Sequence, residues 1–332
     1  IGKKASVSDR VGTEMEALRI ELMSPTRVTL LQEADLPRTR DTGKKQKLTV
    51  AAGIGSLGAI WLLVAVVEFH TRRITDPRDL SQTMGLDLLG TLPSMPNRLS
   101  GLRGQSSATR TGMWNNALIE SVDSIRSMIL HGGEGDDRRV LMVASAGPGE
   151  GKTTFACQFA GSLARSGRRT VLVDFDIRRP RVHELLGVRL EPGICEYLSE
   201  ELPIETVVHT TTDRNLDVIP AGQLNDVALQ TLARDGAEKL FRQLRKDYDF
   251  VIVDCSPILY VADCAAVGRN VDGAVVVARS HLSRMPSMAV ACDRIEKLEI
   301  PLVGAVLVGV RSSFGGEGYS YDYHYNNAEV TS

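Results

Sequence analysis

The sequence lacks a clear excess of either charge and lacks cysteines at metal-binding spacing. Its 332 residues include 39 basic and 41 acidic side chains, so the composition gives no support for nucleic acid as the main partner. All five cysteines lie between Cys157 and Cys292, with no CxxC pair and no other metal-ligand spacing. This pattern is typical of a reducing compartment for that part of the chain.

The chain also lacks an initial methionine and any stretch that resembles a signal peptide. It starts at Ile1, and we expect it to be part of a longer protein. A chain of this length can form two domains, or one domain with attached segments. The sequence contains no internal repeat.

No charged residue occurs in the run 48–67, LTVAAGIGSLGAIWLLVAVV. As a helix that rises 1.5 Å per residue, this run would be about 30 Å long, the thickness of the hydrocarbon core of a bilayer. A buried core helix is the alternative, but such helices are usually shorter and carry a polar stripe. We therefore predict a transmembrane helix over 48–67.

The charges that flank this run orient it only weakly. Five basic residues precede it and three follow it: Arg38, Arg40, Lys44, Lys45, Lys47, then Arg72, Arg73 and Arg78. This mildly favours the N-terminal side inside, although the rule is weak beside a long translocated domain. The chemistry further along the chain must decide the orientation.

Short apolar runs alternate with helical patterns from residue 140 onward. The runs are 140–144, 170–173, 216–219, 250–253, 273–278 and 302–308. Buried strands that alternate with helices indicate an α/β fold, a parallel sheet with helices on both faces. Upstream, segments rich in Pro, Gly, Ser and Arg predict a juxtamembrane linker over 68–113.

The stretch ASAGPGEGKTT, 144–154, follows the first of these strands and precedes a helical pattern. It fits the phosphate-binding P-loop with Ala146 in the first glycine position, and the helix that starts near Lys152 adds the positive end of its dipole. We expect Lys152 to reach the β- and γ-phosphates and Thr153 to bind Mg²⁺. The predicted nucleotide-binding residues are Gly147, Pro148, Gly149, Glu150, Gly151, Lys152, Thr153 and Thr154.

Three aspartates follow buried strands of the same predicted sheet. Asp174 and Asp176 end the run VLVDFD, and Asp254 ends FVIVD. A solvated turn is the alternative for two carboxylates alone, but ligand chemistry in open parallel sheets gathers at this edge. We expect Asp176 and Asp254 to support Mg²⁺ together with Thr153, Asp254 through water. The predicted catalytic residues are Lys152, Asp174, Asp176 and Asp254.

The runs SAGPGEGKTT, LVDFDIRRP and VIVDCSP followed by VADC resemble the bacterial tyrosine kinases of the exopolysaccharide co-polymerase, or chain-length-determinant, family. The paired-aspartate motif is the most specific part, since ordinary P-loop kinases lack it. The resemblance implies a P-loop NTPase fold related to the partition and septum-site ATPases, with an ATP-binding tyrosine kinase domain over 114–314. It also implies that 1–47 is the C-terminal end of an extracytoplasmic chain-length-determinant region.

Three positions distinguish this chain from the related families. The partition and septum-site ATPases usually carry an extra lysine early in the P-loop, which is missing around Ala146, and this favours the kinase branch. In the family's oligomerisation pattern Glu-x-x-Arg-x-x-Arg, Glu120 and Arg126 match, whereas the middle position is Asp123. Val308 stands where relatives often carry an asparagine that contacts adenine.

The tail YSYDYHY has a tyrosine at every second position and follows several glycines. An edge strand is the alternative, since tyrosine at period two fits a pleated surface. With the kinase resemblance, we predict a flexible tail over 315–332 that carries autophosphorylation sites modified by a neighbouring subunit. These sites are Tyr319, Tyr321, Tyr323 and Tyr325.

The resulting expectation is a bacterial inner-membrane protein whose kinase domain and C-terminus are cytoplasmic, with ATP and Mg²⁺ as cofactors. The resemblance implies further copies of the chain, a polysaccharide polymerisation and export machinery, a tyrosine phosphatase and the membrane as partners. An ATPase switch and a nucleotide-binding scaffold that controls chain length are the alternatives. We expect Asp174 to accept or orient the phenolic proton, and Lys152→Met to abolish phosphorylation with the fold intact.

Overall fold

The computed structural model describes residues 2–23, 42–70, 72–94, 107–131, 138–200, 202–234, 236–260 and 263–310. The chain divides after Val64 into two compact units. The elements up to the first strand of the second unit are α1 (Gly2–Met23), α2 (Thr42–His70), α3 (Pro77–Met84) and β1 (Leu88–Pro93). The next are α4 (Ser107–His131), β2 (Val140–Ser145), α5 (Lys152–Arg165) and β3 (Thr170–Phe175).

The remaining elements complete an alternation of strands and helices. They begin with α6 (Val182–Leu186), α7 (Ile194–Glu200), α8 (Ile204–Val207), β4 (His209–Thr210), β5 (Leu216–Ile219) and α9 (Asp226–Ala233). They end with α10 (Gly236–Asp247), β6 (Phe250–Cys255), α11 (Asp263–Gly268), β7 (Gly273–Arg279), α12 (Met285–Lys297) and β8 (Leu302–Val310).

Helix α2 contains the predicted transmembrane run. Its window 46–66 is long and apolar enough to cross a membrane, and none of it is buried within the protein. Large apolar side chains such as Leu57, Trp61 and Leu63 are exposed. An exposed helix that is apolar all round suits a lipid environment better than water. The helix is therefore a candidate membrane span.

The second unit contains an eight-stranded sheet in the order β1-β8-β7-β2-β6-β3-β5-β4. Its pairs are parallel except β4 with β5, which is antiparallel. Buried residues pack on both faces in two hydrophobic clusters. The predicted fold class is confirmed, and the sequence placed six of the strands to within two residues of their bounds; it missed β1 and β4.

The linker predicted over 68–113 is wrong for much of its length, because part of that segment is folded into the sheet domain. Strand β1 pairs with β8 in parallel, and Ile74 and Leu80 are fully buried. One proline that suggested a linker, Pro77, instead opens α3 behind the capping residue Asp76, and Gly85 ends this helix in the left-handed conformation. The folded domain thus starts well before residue 114.

Substitution of Leu80 tests this assignment. We expect Leu80→Ala to destabilise the sheet domain by about 2–5 kcal/mol, because it leaves a cavity in a buried cluster. The matched control is Leu185→Ala, whose side chain is half exposed. Thermal unfolding of the full chain in detergent measures both variants. Equal melting temperatures would show that residues 72–94 are not part of the folded domain and would favour the linker prediction.

Candidate active site

The P-loop connects β2 to α5 and folds as the glycine spacing requires. Gly149 and Gly151 adopt positive φ angles of 78° and 95°, a region that side-chain-bearing residues rarely enter. Gly151 is also the N-cap of α5. A Cβ atom there would come within 3.2 Å of Val308 Cγ1 on β8, so the loop lies directly against the last strand. Backbone N–H groups at a helix N-terminus form an anion site.

Lys152 lies at the centre of the site and is only 6% exposed. Its Nζ donates to Asp254 Oδ1 at 2.6 Å and approaches Asp176 Oδ2 and Thr153 Oγ1 at 3.4 Å each. Burial alone would lower the pKa of Lys152, but the carboxylates of Asp254 and Asp176 raise it above its usual value. The structure therefore brings together the lysine, threonine and two of the three aspartates predicted from sequence.

The expected insensitivity of the fold to Lys152→Met is not supported by this geometry. That expectation assumed a lysine free of core contacts, whereas Lys152 forms a buried ion pair with Asp254, which is fully buried. Removal of one member of such a pair leaves the other charge buried without compensation. Lys152 thus has a structural role in addition to its expected role in phosphate binding.

Asp174 lies at the same sheet edge but is turned inward. It faces Asp254 across the parallel β3–β6 pair. Its carboxylate accepts hydrogen bonds from the backbone N–H groups of Asp176, Arg181 and Val182 at 3.0, 3.3 and 3.2 Å. Burial, reinforced by the charge of Asp254, raises the pKa of Asp174 to about 8. These contacts hold the turn that carries Asp176.

Two features of the aspartates fit a divalent cation. Asp254 Oδ2 is buried and has no hydrogen-bond partner among the residues that the structure describes, and burial raises the pKa of this carboxyl while Lys152 opposes the shift. Asp176 keeps slight exposure and accepts from the Ser256 hydroxyl at 2.8 Å. Carboxylate and hydroxyl oxygens beside a P-loop are the ligands that Mg²⁺ uses there. Thr153, Asp176 and Asp254 could hold it, directly or through water.

No group of three His, Cys, Asp or Glu side chains arranged for a metal occurs in the described parts of the chain. A P-loop magnesium site does not require one, because threonine, water and the nucleotide phosphates provide most of the ligands. The donor set at this site is therefore suited to a metal that arrives with a nucleotide.

Several residues around the P-loop were not identified from sequence. One is Ser256, whose hydroxyl donates to Asp176. Its position two residues after Asp254 was the only feature of the sequence that could have placed it near the site. Ser283 and Arg279 reach the P-loop from the turn between β7 and α12. No motif marks these two, since their approach depends on the order of strands in the sheet.

An ion pair joins two segments that follow strands β3 and β6. Arg178 Nε donates to Asp263 Oδ2 at 2.8 Å and links the turn after β3 to the start of α11. The pair is partly exposed, so we attribute to it the positioning of these two segments and little stability.

The predicted oligomerisation residues lie on α4. Glu120 is exposed, whereas Arg126 donates to the Ser162 carbonyl at 2.9 Å and to Asp123 Oδ1 at 3.2 Å. Asp123 also accepts from the Ser162 hydroxyl and, at 3.3 Å, from Arg165. Asp123 therefore joins α4 to α5 within one chain, which explains how an acidic residue is accommodated at the middle position.

The predicted phosphorylation sites Tyr319, Tyr321, Tyr323 and Tyr325 lie outside the described residues. The structure describes the other three tyrosines of the chain. Tyr197 is buried and Tyr248 is partly buried, and the Tyr248 hydroxyl donates to Asp217 at 2.8 Å. Tyr260 is 70% exposed.

Comparison with known proteins gives consistent matches. Residues 138–281 match the family model described as AAA domain. The chain is 31% identical over 206 residues to the tyrosine-protein kinase etk of Escherichia coli strain K12, covering 62% of this chain and 28% of that protein. It is 26% identical over 305 residues to the putative tyrosine-protein kinase EpsB of Ralstonia nicotianae, covering 89% of this chain and 40% of that protein.

A solved structure extends these matches. The kinase domain of Escherichia coli tyrosine kinase ETK superposes with a TM-score of 0.64 at 28% identity, covering 75% of this chain and all of that domain. The chain spans less than half the length of the curated relatives it matches. The P-loop fold and the kinase relatives imply that the sheet domain binds a nucleotide.

Replacement of Lys152 tests the buried ion pair. We expect Lys152→Met to destabilise the nucleotide-free chain by about 3–5 kcal/mol, because it leaves the Asp254 carboxylate without its counter-charge. A second substitution, Asp254→Asn, removes that charge and should recover most of the loss. Thermal unfolding of the full-length variants in detergent measures both.

The loss should also depend on pH. Burial raises the pKa of Asp254 in the folded state, and removal of Lys152 should raise it further. Between the unfolded-state pKa, about 3.9, and this folded-state pKa, the unfolded chain binds fewer protons, so stability falls as pH rises. The loss of stability caused by Lys152→Met should therefore be smaller at pH 5 than at pH 8. An equal loss at the two pH values, with no recovery in the Asp254→Asn double variant, would contradict the role of the ion pair.

Proposed function

This chain belongs to the family of bacterial tyrosine kinases, and we propose that it is a membrane-anchored autokinase that transfers the γ-phosphoryl group of ATP to tyrosines of its own C-terminal tail. The observation that carries the proposal is the cluster of Lys152, Asp176 and Asp254 beside the P-loop. Lys152 Nζ lies 2.6 Å from Asp254 and 3.4 Å from Asp176. This pairing of a P-loop lysine with carboxylates from two neighbouring strands suits phosphoryl transfer.

Phosphate binding would begin with an exchange of partners at Lys152. Backbone N–H groups of the P-loop bind the phosphates, and Lys152 exchanges Asp254 for the β- and γ-phosphate oxygens. Thr153, Asp176 and Asp254 would hold Mg²⁺, which would neutralise charge on the phosphates. Since phosphoryl transfer requires mainly positioning and electrostatic stabilisation, these residues supply most of what the protein contributes.

The transfer itself forms one bond and breaks one. The tyrosine oxygen bonds to the γ-phosphorus, the bond from that phosphorus to the bridging oxygen of ADP breaks, and the phenolic proton passes to an oxygen of the transferred phosphoryl group or to water. A phenol of pKa about 10 is a poor nucleophile unless a base is near. The geometry favours neither role expected for Asp174 toward the phenolic proton, because the residue is fully buried and its oxygens accept from the backbone N–H groups of Asp176 and Val182. We assign it instead to holding the turn that carries Asp176.

The proposed acceptors are Tyr319, Tyr321, Tyr323 and Tyr325, which lie outside the described residues. Two of the three described tyrosines are poor acceptors: burial raises the pKa of Tyr197, and burial with the hydrogen bond to Asp217 raises that of Tyr248. A tail modified by a neighbouring copy would carry roughly six to eight negative charges when fully phosphorylated. Repulsion at that density would loosen an oligomer.

The surrounding partners follow from the family. We propose that the chain acts with a polysaccharide polymerisation and export machinery and that a tyrosine phosphatase reverses the modification. The second candidate is a nucleotide-binding scaffold with weak catalysis. Asp123, which is engaged within its own chain, and the apolar Val308 against the P-loop favour that candidate.

The autokinase proposal is tested by a mixing experiment. The recipient is the Lys152→Met/Asp254→Asn chain with its tail intact, and the donor is an active chain with the four tail tyrosines changed to Phe. We expect label from γ-labelled ATP on the recipient tail, mapped by mass spectrometry that also covers the exposed Tyr260. The control recipient carries the same four Tyr→Phe changes.

Two outcomes separate the candidates. Label on the recipient tail but not on the control recipient supports transfer between copies. The contrary outcome is that neither the recipient nor the wild-type chain is labelled, although the donor and the wild-type chain both bind MgATP. That result would contradict the kinase proposal and favour the scaffold.

The proposed orientation places the sheet domain in the cytoplasm, where ATP and Mg²⁺ are available, against the mild charge bias around α2. A fluorescent protein fused after Ser332 should fluoresce, and alkaline phosphatase at the same place should be inactive. The fusion point avoids residues 72–94, which the structure shows to be part of the sheet domain. Active phosphatase would place the domain outside and remove its supply of ATP.

A further inference from the structure

Glu150 lies within the P-loop, but its side chain is buried beneath the loop. It is 5% exposed. One carboxylate oxygen, Oε2, accepts from the Gly147 backbone N–H at 2.8 Å, and the other, Oε1, accepts from the Ser283 hydroxyl at 2.6 Å. The carboxylate therefore spans the first turn of the P-loop and a residue more than a hundred positions away in the chain.

Ser283 is held so that its proton can go only to Glu150. It is 1% exposed, and its Oγ accepts from the Arg279 backbone N–H at 2.8 Å. The same turn reaches the P-loop a second time, since Arg279 Nη1 donates to the Gly149 carbonyl at 3.0 Å. The turn 279–283 thus touches the loop at both Glu150 and Gly149.

The turn is anchored from its other side by the segment that precedes α3. The Ile74 N–H donates to the Ser283 carbonyl and the His281 N–H donates to the Ile74 carbonyl, both at 2.9 Å. The Arg73 side chain donates to the His281 carbonyl at 3.0 Å. Because main-chain bonds fix the turn, the Ser283 hydroxyl is a rigid support for Glu150.

A buried carboxylate below a phosphate site needs an explanation. Its negative charge would repel phosphates, and its burial is costly unless it is hydrogen-bonded. Burial raises the pKa of Glu150, while the hydrogen bonds from Ser283 and Gly147 oppose the shift. The two oxygens of the side chain accept from the Gly147 N–H and from the Ser283 hydroxyl. These two hydrogen bonds fix the direction in which the N–H groups of the loop point.

We propose that Glu150 and Ser283 are positioning residues that hold the P-loop in its phosphate-binding shape. Neither needs to touch the nucleotide. Their effect is on affinity for the phosphates, because an ordered loop presents N–H groups that need no rearrangement on binding. The inference rests on the proposed function for the nucleotide, and it is independent of whether tyrosine accepts the phosphoryl group.

Nucleotide titration of full-length variants in detergent tests the proposal. Ser283→Ala and Glu150→Ala should each weaken MgADP binding about tenfold, the effect of one lost hydrogen bond to a charged group. The double variant should bind no more weakly than the weaker single variant, since both changes remove the same contact. Glu150→Gln should recover part of the affinity, because its amide oxygen still accepts from the Gly147 N–H, while its NH₂ group cannot accept the Ser283 proton.

Kinetics add a readout that a general loss of structure would not give. The KM for ATP should rise about tenfold in Ser283→Ala, with kcat changed by less than about twofold. The control is Ser280→Ala in the same turn, whose hydroxyl reaches the Thr75 carbonyl at 3.5 Å and not the P-loop. It should bind MgADP as the wild type does.

Three results would overturn the proposal: unchanged MgADP affinity in Ser283→Ala, equal losses in Glu150→Gln and Glu150→Ala, or an equal loss in the Ser280→Ala control. Thermal unfolding identifies any variant that is unfolded, and Glu150→Gln then decides. The two proposals can fail separately. If the variants change MgADP affinity as expected but the wild-type chain labels no tyrosine, the proposed kinase function is contradicted and the positioning role of Glu150 and Ser283 is supported.

Discussion

The buried contact between Lys152 and Asp254 is the interaction on which the organisation of this site depends. It joins the first turn of α5 to the end of β6, and the register of the β3–β6 pair sets Asp174 directly opposite Asp254. Two carboxylates on adjacent strands in a dry interior would repel each other strongly. The positive charge of Lys152 opposes this repulsion at both carboxyls. Hydrogen bonds from the backbone N–H groups of Asp176 and Val182 further stabilise Asp174.

The sequence could predict this cluster because its residues are specified locally. A glycine-rich loop between an apolar strand and a helix places Lys152 at the helix start, and a polar residue after a buried parallel strand must lie at the carboxyl edge of the sheet. These two rules located Lys152, Asp176 and Asp254 without knowledge of the strand order. They could not show that Asp174 points inward, because its orientation depends on the turn that follows it.

The features that sequence reasoning missed all depend on contacts distant in the chain. Pro77 was interpreted as part of a linker, since nothing local shows that Leu80, three residues later, is buried. Ser283 became part of the P-loop environment only because β7 is the neighbour of β2 in the sheet. Asp123 departs from the family pattern. Its contacts with Ser162 and Arg165 depend on the packing of α4 against α5, which the local sequence does not specify.

In the proposed function, the same ion pair would connect nucleotide binding to metal binding. Lys152 neutralises Asp254, and the other oxygen of that carboxylate has no hydrogen-bond partner among the described residues. If phosphates bound Lys152 as proposed, Asp254 would lose its only close positive charge in the described site while it remains buried. An uncompensated buried carboxylate is costly, so the exchange is favourable only if another positive charge enters beside Thr153 and Asp176. The chain's own electrostatics therefore favour a nucleotide that arrives together with its cation over either one alone.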